Sequence, residues 1–104
     1  MLGDRYEILA AVIAAHFTGI PIAHISGGDV TEGAVDDAIR HSITKMSTLH
    51  FPGCERSRQR IIQMGEAPKR VFNVGEPGVE NCLNLTLLPS AALEKALQFD
   101  LTSR

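Results

Sequence analysis

Apolar and polar positions change period several times along the chain, and each change marks an element. Between residues 5 and 18, Ile8, Leu9, Val12, Ile13 and His16 fall on one helical face, and Gly19 ends the predicted helix. Ile20 to Ile25 is an apolar run of strand length, with Pro21 near its start. A loop from Gly27-Gly28-Asp29 to Gly33 follows. The helical period returns over 36–48, where Val35, Ala38, Ile39, Ser42, Ile43 and Met46 form the predicted inner stripe. Leu49 to Phe51 predicts a short strand closed by Pro52-Gly53. A third helix fits 54–64, with Ile61, Ile62 and Met64 facing inward and Arg56, Arg58 and Arg60 facing water. Val71 to Val74 predicts another strand, ended by Gly75-Glu76-Pro77-Gly78. Helices near 79–84 and 90–98, the second with Ser90 as N-cap, complete the chain.

Strands alternating with helices predict an α/β fold: a parallel sheet with helices on both faces and right-handed crossovers. The chain passes from Met1-Leu2-Gly3-Asp4 straight into a helix, with no strand before it. It therefore reads as a doubly wound fold entered midway, a single incomplete domain over 1–104.

Composition narrows the classes of function. The 104 residues are 44% hydrophobic and 21% charged, as expected of a folded domain rather than a disordered chain. Ten basic against twelve acidic residues leave a charge of −2, without the basic excess of a nucleic-acid binder. The longest apolar stretch, Ile8 to Ala15, falls far short of the ~20 residues of a membrane span. Asp4, Arg5 and Glu7 before it do not form the basic leader of a signal peptide, so a cytoplasmic location is expected. Cys54 and Cys82 belong to no CxxC pair and are expected as packing residues. The four histidines lack metal-ligand spacing. His24 and His50 read as core residues, His16 as packing or surface, and His41 lies on the polar face of the second helix.

In open parallel sheets, ligands bind beyond the carboxyl ends of the strands. Polar clusters map to that edge at Gly3-Asp4-Arg5, Ser26 to Glu32, Asp36-Asp37 and Pro77 to Glu80. Asp4 reads either as an N-cap or as a carboxylate aimed into a cleft for acid–base work. Arg5 either lies in water or grips a phosphate through its forked guanidinium. Asp36 and Asp37 suit the positive end of a helix dipole, with Arg40 and His41 placed four residues on as partners. Gly27-Gly28 permits close approach of backbone and ligand, but is neither a GxGxxG nor a P-loop pattern.

Taken together, these clusters resemble one family. Gly3-Asp4-Arg5-Tyr6-Glu7, the run from Ile20 through His24-Ile25-Ser26-Gly27-Gly28-Asp29 to Gly33, the run from Asp36-Asp37 to Ser47, and Arg70 to Gly78 are similar to the hydrolysing UDP-N-acetylglucosamine 2-epimerases of sialic-acid synthesis. The resemblance implies part of a Rossmann-like domain of a two-domain GT-B enzyme. It implies conversion of UDP-N-acetylglucosamine and water to N-acetylmannosamine and UDP through a glycal, with no metal or other cofactor and a homo-oligomer as the working state. Carried over by position, Asp4, Asp36 and Asp37 match the catalytic carboxylates. Arg5 matches the arginine that helps bind the nucleotide sugar, Arg40 and His41 match the motif without an assigned step, and Arg5, Ser26, Asp29, Arg40 and His41 are the expected substrate-binding residues.

Two departures stand out. Several members carry glutamate where this chain has Ser26, and a serine is no base without activation; Asp29 is the nearby carboxylate. Family enzymes are also several times longer, so the chain reads as a central fragment with little turnover of its own and an open sheet edge prone to self-association. The alternative reading is a non-catalytic remnant that binds nucleotide sugar weakly or pairs through that edge.

Overall fold

The computed structural model of the protein describes residues 1 and 3–101. Among the described residues, five helices and two strands follow the expected order: α1 (Tyr6–Phe17), β1 (Ala23–Ile25), α2 (Asp36–Met46), β2 (Leu49–Phe51), α3 (Glu55–Gln63), α4 (Pro77–Asn84) and α5 (Ser90–Leu97), with a 3-10 turn at Pro68–Arg70. Strands β1 and β2 pair in parallel, Ala23 opposite Leu49 and Ile25 opposite Phe51. The predicted strand at 71–74 reduces to one parallel bridge between His50 and Val71. The Phe72 and Val74 N–H groups nevertheless donate to the His50 and Pro52 carbonyls at 2.9 and 3.1 Å. Three parallel segments thus share one carboxyl-end edge. Outside β1, the Met1 amino group donates to the Ala23 carbonyl at 2.7 Å, and the Met1 carbonyl accepts from Ile25 N–H at 2.8 Å. That edge of β1 is therefore partly engaged.

The core joins Val12 of α1, Ile22 before β1 and Ile43 of α2, with Ile8, Leu9, Ala15, Ile39 and Met46 packed around them. Several expected positions move. Ile13 is 41% exposed and His16 is exposed, because α1 turns Val12 and Ala15 inward instead. In α2, Ala38 and Ser42 are exposed and Val35 lies before the helix in water, while Arg40, Thr44 and Ser47 are buried. An inner face built from polar side chains cannot be read from apolar spacing. The first strand is shorter than expected, since Ile20 and Pro21 lie in exposed loop. Pro77, not residue 79, opens α4, in the first helical turn where its missing N–H costs nothing. Ser90 is the first residue of α5 and Pro89 holds the cap position.

Both cysteines are free and exposed rather than packed. Cys54 sits just before α3; Cys82 lies on α4, which has no buried residue. Neither α4 nor α5 buries a side chain, and the molecule extends over 53 × 28 × 27 Å. Its radius of gyration of 18.3 Å exceeds the ~13 Å of a compact 100-residue domain. The buried side chains of the described residues lie between Val12 and Val71. Among the described residues, no helix is long and apolar enough to cross a membrane.

Gly28 shows how tightly the loop after β1 is seated. Its φ is +84°, and a Cβ there would overlap the Ser57 carbonyl oxygen and press on Ile61. Gly28→Ala is expected to lower stability by about 1–3 kcal/mol, from both the left-handed backbone and the overlap. A urea midpoint equal to that of the unsubstituted chain would contradict this packing.

Candidate active site

The site is organised by one buried cation. The Arg40 side chain, on the first turns of α2, is 7% exposed. Its Nε and Nη2 both donate to Asp4 Oδ2, the Nε bond measuring 3.0 Å. Nη1 donates to the Asp29 carbonyl at 3.0 Å and to Asp37 Oδ1 at 3.3 Å. Nη2 also reaches Thr31 Oγ1 at 3.3 Å. A planar guanidinium with five donors can hold this many acceptors together; a lysine cannot. Arg40 therefore pairs with Asp4 and Asp37, and not with Asp36 as the spacing suggested.

This arrangement separates the two readings of Asp4 in geometric terms. Arg5, not Asp4, is the cap residue of α1, and no side chain caps that helix. Asp4 instead turns toward α2, with its side chain 29% exposed and so still open to a ligand. Its backbone neighbour is held as well. The fully buried His24 ring lies between the Gly3 carbonyl, 3.1 Å from Nε2, and Thr44 Oγ1, 3.1 Å from Nδ1. Those partners suit a neutral ring that donates through Nε2 and accepts at Nδ1. Burial pushes the His24 pKa below its ordinary value, against the pull of the Gly3 carbonyl.

Asp37 is shared three ways. Oδ1 accepts from Arg40 and from the Thr31 N–H at 3.1 Å, and Oδ2 lies 3.6 Å from His41 Nε2. The expected four-residue pair of Asp37 and His41 is thus present. His41 Nδ1 is buried without a hydrogen-bond partner among the described residues. Asp29 contributes its carbonyl to Arg40 and its carboxylate to the Ser57 hydroxyl. Ser57 also lies 3.3 Å from Cys54 Sγ. The Ser57 hydroxyl and the N–H groups at the start of α3 hold the exposed Cys54 thiol below its usual pKa.

The remaining expected residues stand apart from this network. Arg5 is exposed and, among the described residues, pairs only with Glu7, at 3.7 Å. Asp36 is half-buried, with no side-chain partner among the described residues. Ser26, at the end of β1, donates to Glu76 Oε2 at 3.3 Å. Two of the three arginines expected in water are only half-exposed: Arg58 donates to the Val71 carbonyl and Arg60 to the Gly28 carbonyl. Arg56 and Arg60, with Asp29, Thr31, Cys54 and Ser57, line an open pocket of about 560 Å³ beside the network. Among the described residues, no cluster of three or more His, Cys, Asp or Glu could hold a metal ion.

Thr31, within the Ser26 to Glu32 cluster, was not singled out, and His24, Ser57 and Glu76 escaped the sequence reading of the site. The first three act through hydrogen bonds to other parts of the chain that no spacing reveals. Glu76 carried a usable signal, since it follows the last strand at the ligand-binding edge.

Residues 1–101 match the family described as UDP-N-acetylglucosamine 2-epimerase. A relative from Campylobacter jejuni, named GDP/UDP-N,N'-diacetylbacillosamine 2-epimerase (hydrolyzing), is 46% identical over 101 residues, covering 97% of this chain and 26% of its own. Polysialic acid biosynthesis protein P7 of Escherichia coli is 51% identical over 94 residues, covering 90% of this chain and 24% of its own. The chain thus spans about a quarter of the length of these relatives. Among solved structures, UDP-GlcNAc 2-epimerase from Neisseria meningitidis, crystallised with UDP-GlcNAc, superposes with a TM-score of 0.74 at 23% identity, covering 93% of this chain and 26% of that one. The Methanocaldococcus jannaschii UDP-GlcNAc 2-epimerase gives 0.73 at 23% identity, over 79% of this chain and 23% of that one. These likenesses bear out the partial Rossmann-like α/β fold expected from the sequence.

Proposed function

The chain belongs to the UDP-N-acetylglucosamine 2-epimerase family, and from that membership we propose that it carries the acid–base wall of a hydrolysing nucleotide-sugar 2-epimerase. The substrate is UDP-N-acetylglucosamine or a closely related UDP-linked acetamido sugar. The observation that carries this reading is the network of Asp4, Asp37 and Arg40, with partly exposed carboxylates at the carboxyl-end edge of a parallel sheet.

The chemistry asks for groups of this kind. A base removes the proton at C2; the C1–O bond breaks, its electron pair leaves on UDP, and a C1=C2 double bond forms. Water then adds, its oxygen to C1 and a proton to C2 from the other face. In this proposal Asp4 and Asp37 handle protons, and Arg40 positions both. Asp36 is the third carboxylate at the same helix start, while Arg5, Ser26, Asp29 and His41 contact the nucleotide sugar. The enzyme acts in the cytoplasm, as a homo-oligomer, on a chain of family length. One domain wall alone leaves substrate open to water, so the isolated 104 residues are expected to show little turnover.

The test replaces the matched segment of the Campylobacter relative with residues 1–101. Proton NMR then follows UDP-N-acetylglucosamine and its diacetylated analogue. The expected result is free UDP and a C2-inverted sugar, with product formation reduced by about 100-fold or more in Asp4→Asn. A folded chimera that releases no UDP from either sugar would overturn the reading.

A further inference from the structure

Three loops meet at the carboxyl-end edge of the sheet: Ser26 after β1, Pro52-Gly53 after β2, and Glu76 after the segment bridged at Val71. We propose that Glu76 is a further catalytic carboxylate of this site, the base that removes the C2 proton, with Ser26 and Gly53 as its positioning residues; this rests on the epimerase reading above.

The side chain of Glu76 is placed rather than loose. Ser26 Oγ donates to its Oε2 at 3.3 Å across fifty residues of sequence. Ser26 itself has φ of 61°, a left-handed backbone that only Gln98 shares among the described non-glycine residues. That conformation is unfavourable for a side chain and persists where the surroundings impose it. On the other side, a Cβ on Gly53 would overlap the Glu76 carboxyl group. A hydroxyl therefore holds this carboxylate from β1, and a missing side chain makes room for it after β2.

Its surroundings differ from those of Asp4 and Asp37. Those two share the Arg40 guanidinium. Glu76 has no cationic partner among the described residues and is exposed, so its lone pairs are open to a proton. Inversion at C2 needs a proton taken from one face and another delivered to the opposite face. Asp4 and Asp37 gather at α2, whereas Glu76 arrives from the third parallel segment, beyond β2. The geometry supplies a separate group for each face.

The step balances with all carboxylates ionised at the start. Glu76 takes the C2 proton; the C2–H pair becomes the C1=C2 bond, and the C1–O pair leaves on UDP. Water oxygen then bonds C1, its proton passes to the Asp4–Asp37 side, and that side returns one proton to C2. The proton on Glu76 leaves to solvent.

Two measurements test this. In the chimera described above, Glu76→Gln is expected to lose UDP release and solvent deuterium incorporation at C2 by about 100-fold or more. Glu76→Asp is expected to recover part of both. UDP release by Glu76→Gln at the unsubstituted rate would overturn the proposal. In the 104-residue chain itself, the carboxyl carbon-13 chemical shift of Glu76 at fixed neutral pH is expected to move in Ser26→Ala, which removes the donor, and in Gly53→Ala, which displaces the group. An unmoved signal in both would overturn the positioning roles. If the unsubstituted chimera releases no UDP, the epimerase reading falls with the assignment of the step, and the carboxyl signal still decides whether Ser26 and Gly53 place the carboxylate.

Discussion

Arg40→Met is expected to lower stability by about 2–3 kcal/mol, the largest loss from any single substitution of the site. The methionine fills most of the volume but donates no hydrogen bond. Asp4 Oδ2, Asp37 Oδ1, the Asp29 carbonyl and Thr31 Oγ1 would each lose a donor at once. Breaking a buried ion pair from one side costs about 3–5 kcal/mol when the stranded charge is fully enclosed. Here the Asp4 and Asp37 side chains are 29% and 30% exposed, so water recovers part of the loss. Arg40→Lys keeps the charge but not the fork, and is expected to retain less than half of the difference. Urea unfolding of the three chains measures this; equal midpoints for the unsubstituted and Arg40→Met chains would show that the network contributes nothing to folding.

The second large effect is a loss of stability in acid that begins below pH 6.5. Burial holds His24 below its ordinary value of 6.5, and burial does the same to His50, with Glu66 opposing it. A histidine with a depressed folded-state pKa stays neutral in the fold, while the unfolded chain binds a proton. Its contribution is therefore complete above 6.5 and is lost as pH falls toward the folded-state value. Each such ring contributes a slope of about 1.4 kcal/mol per pH unit in that window. Glu66 adds a later step: burial works against its charge, but Lys45 and His50 together hold it below 4.5. Its stabilisation is lost only as pH falls below that value. Chemical unfolding from about pH 7.5 to about pH 2.5 reads both windows. His24→Gln is expected to remove part of the upper slope; a flat profile between about pH 6.5 and 5 would exclude the buried neutral rings.

Much of the fold was legible because period and punctuation are local. Ile43 and Met46 at helical spacing, Leu49 to Phe51 between two breakers, and Pro77 at the end of the last strand signal each depend on neighbours a few residues away. The α/β alternation and the ligand edge follow from that order alone. The inner face of α2 was not legible. Arg40 and Thr44 look like solvent residues until Asp4 and His24, from elsewhere in the chain, meet them in hydrogen bonds.

The candidate site divides the same way. Local sequence placed Asp4, Asp37 and His41 at or near helix starts and paired the last two, because four residues make about one helical turn. Parallel pairing brought Ser26, Gly53 and Glu76 to one edge, and only the folded chain puts a hydroxyl and an empty Cβ position against one carboxylate. Partners fifty residues apart are chosen by sheet register and loop path, which depend on the whole packed unit. Residue types and helix phase state which groups are available; burial and register choose which of them meet.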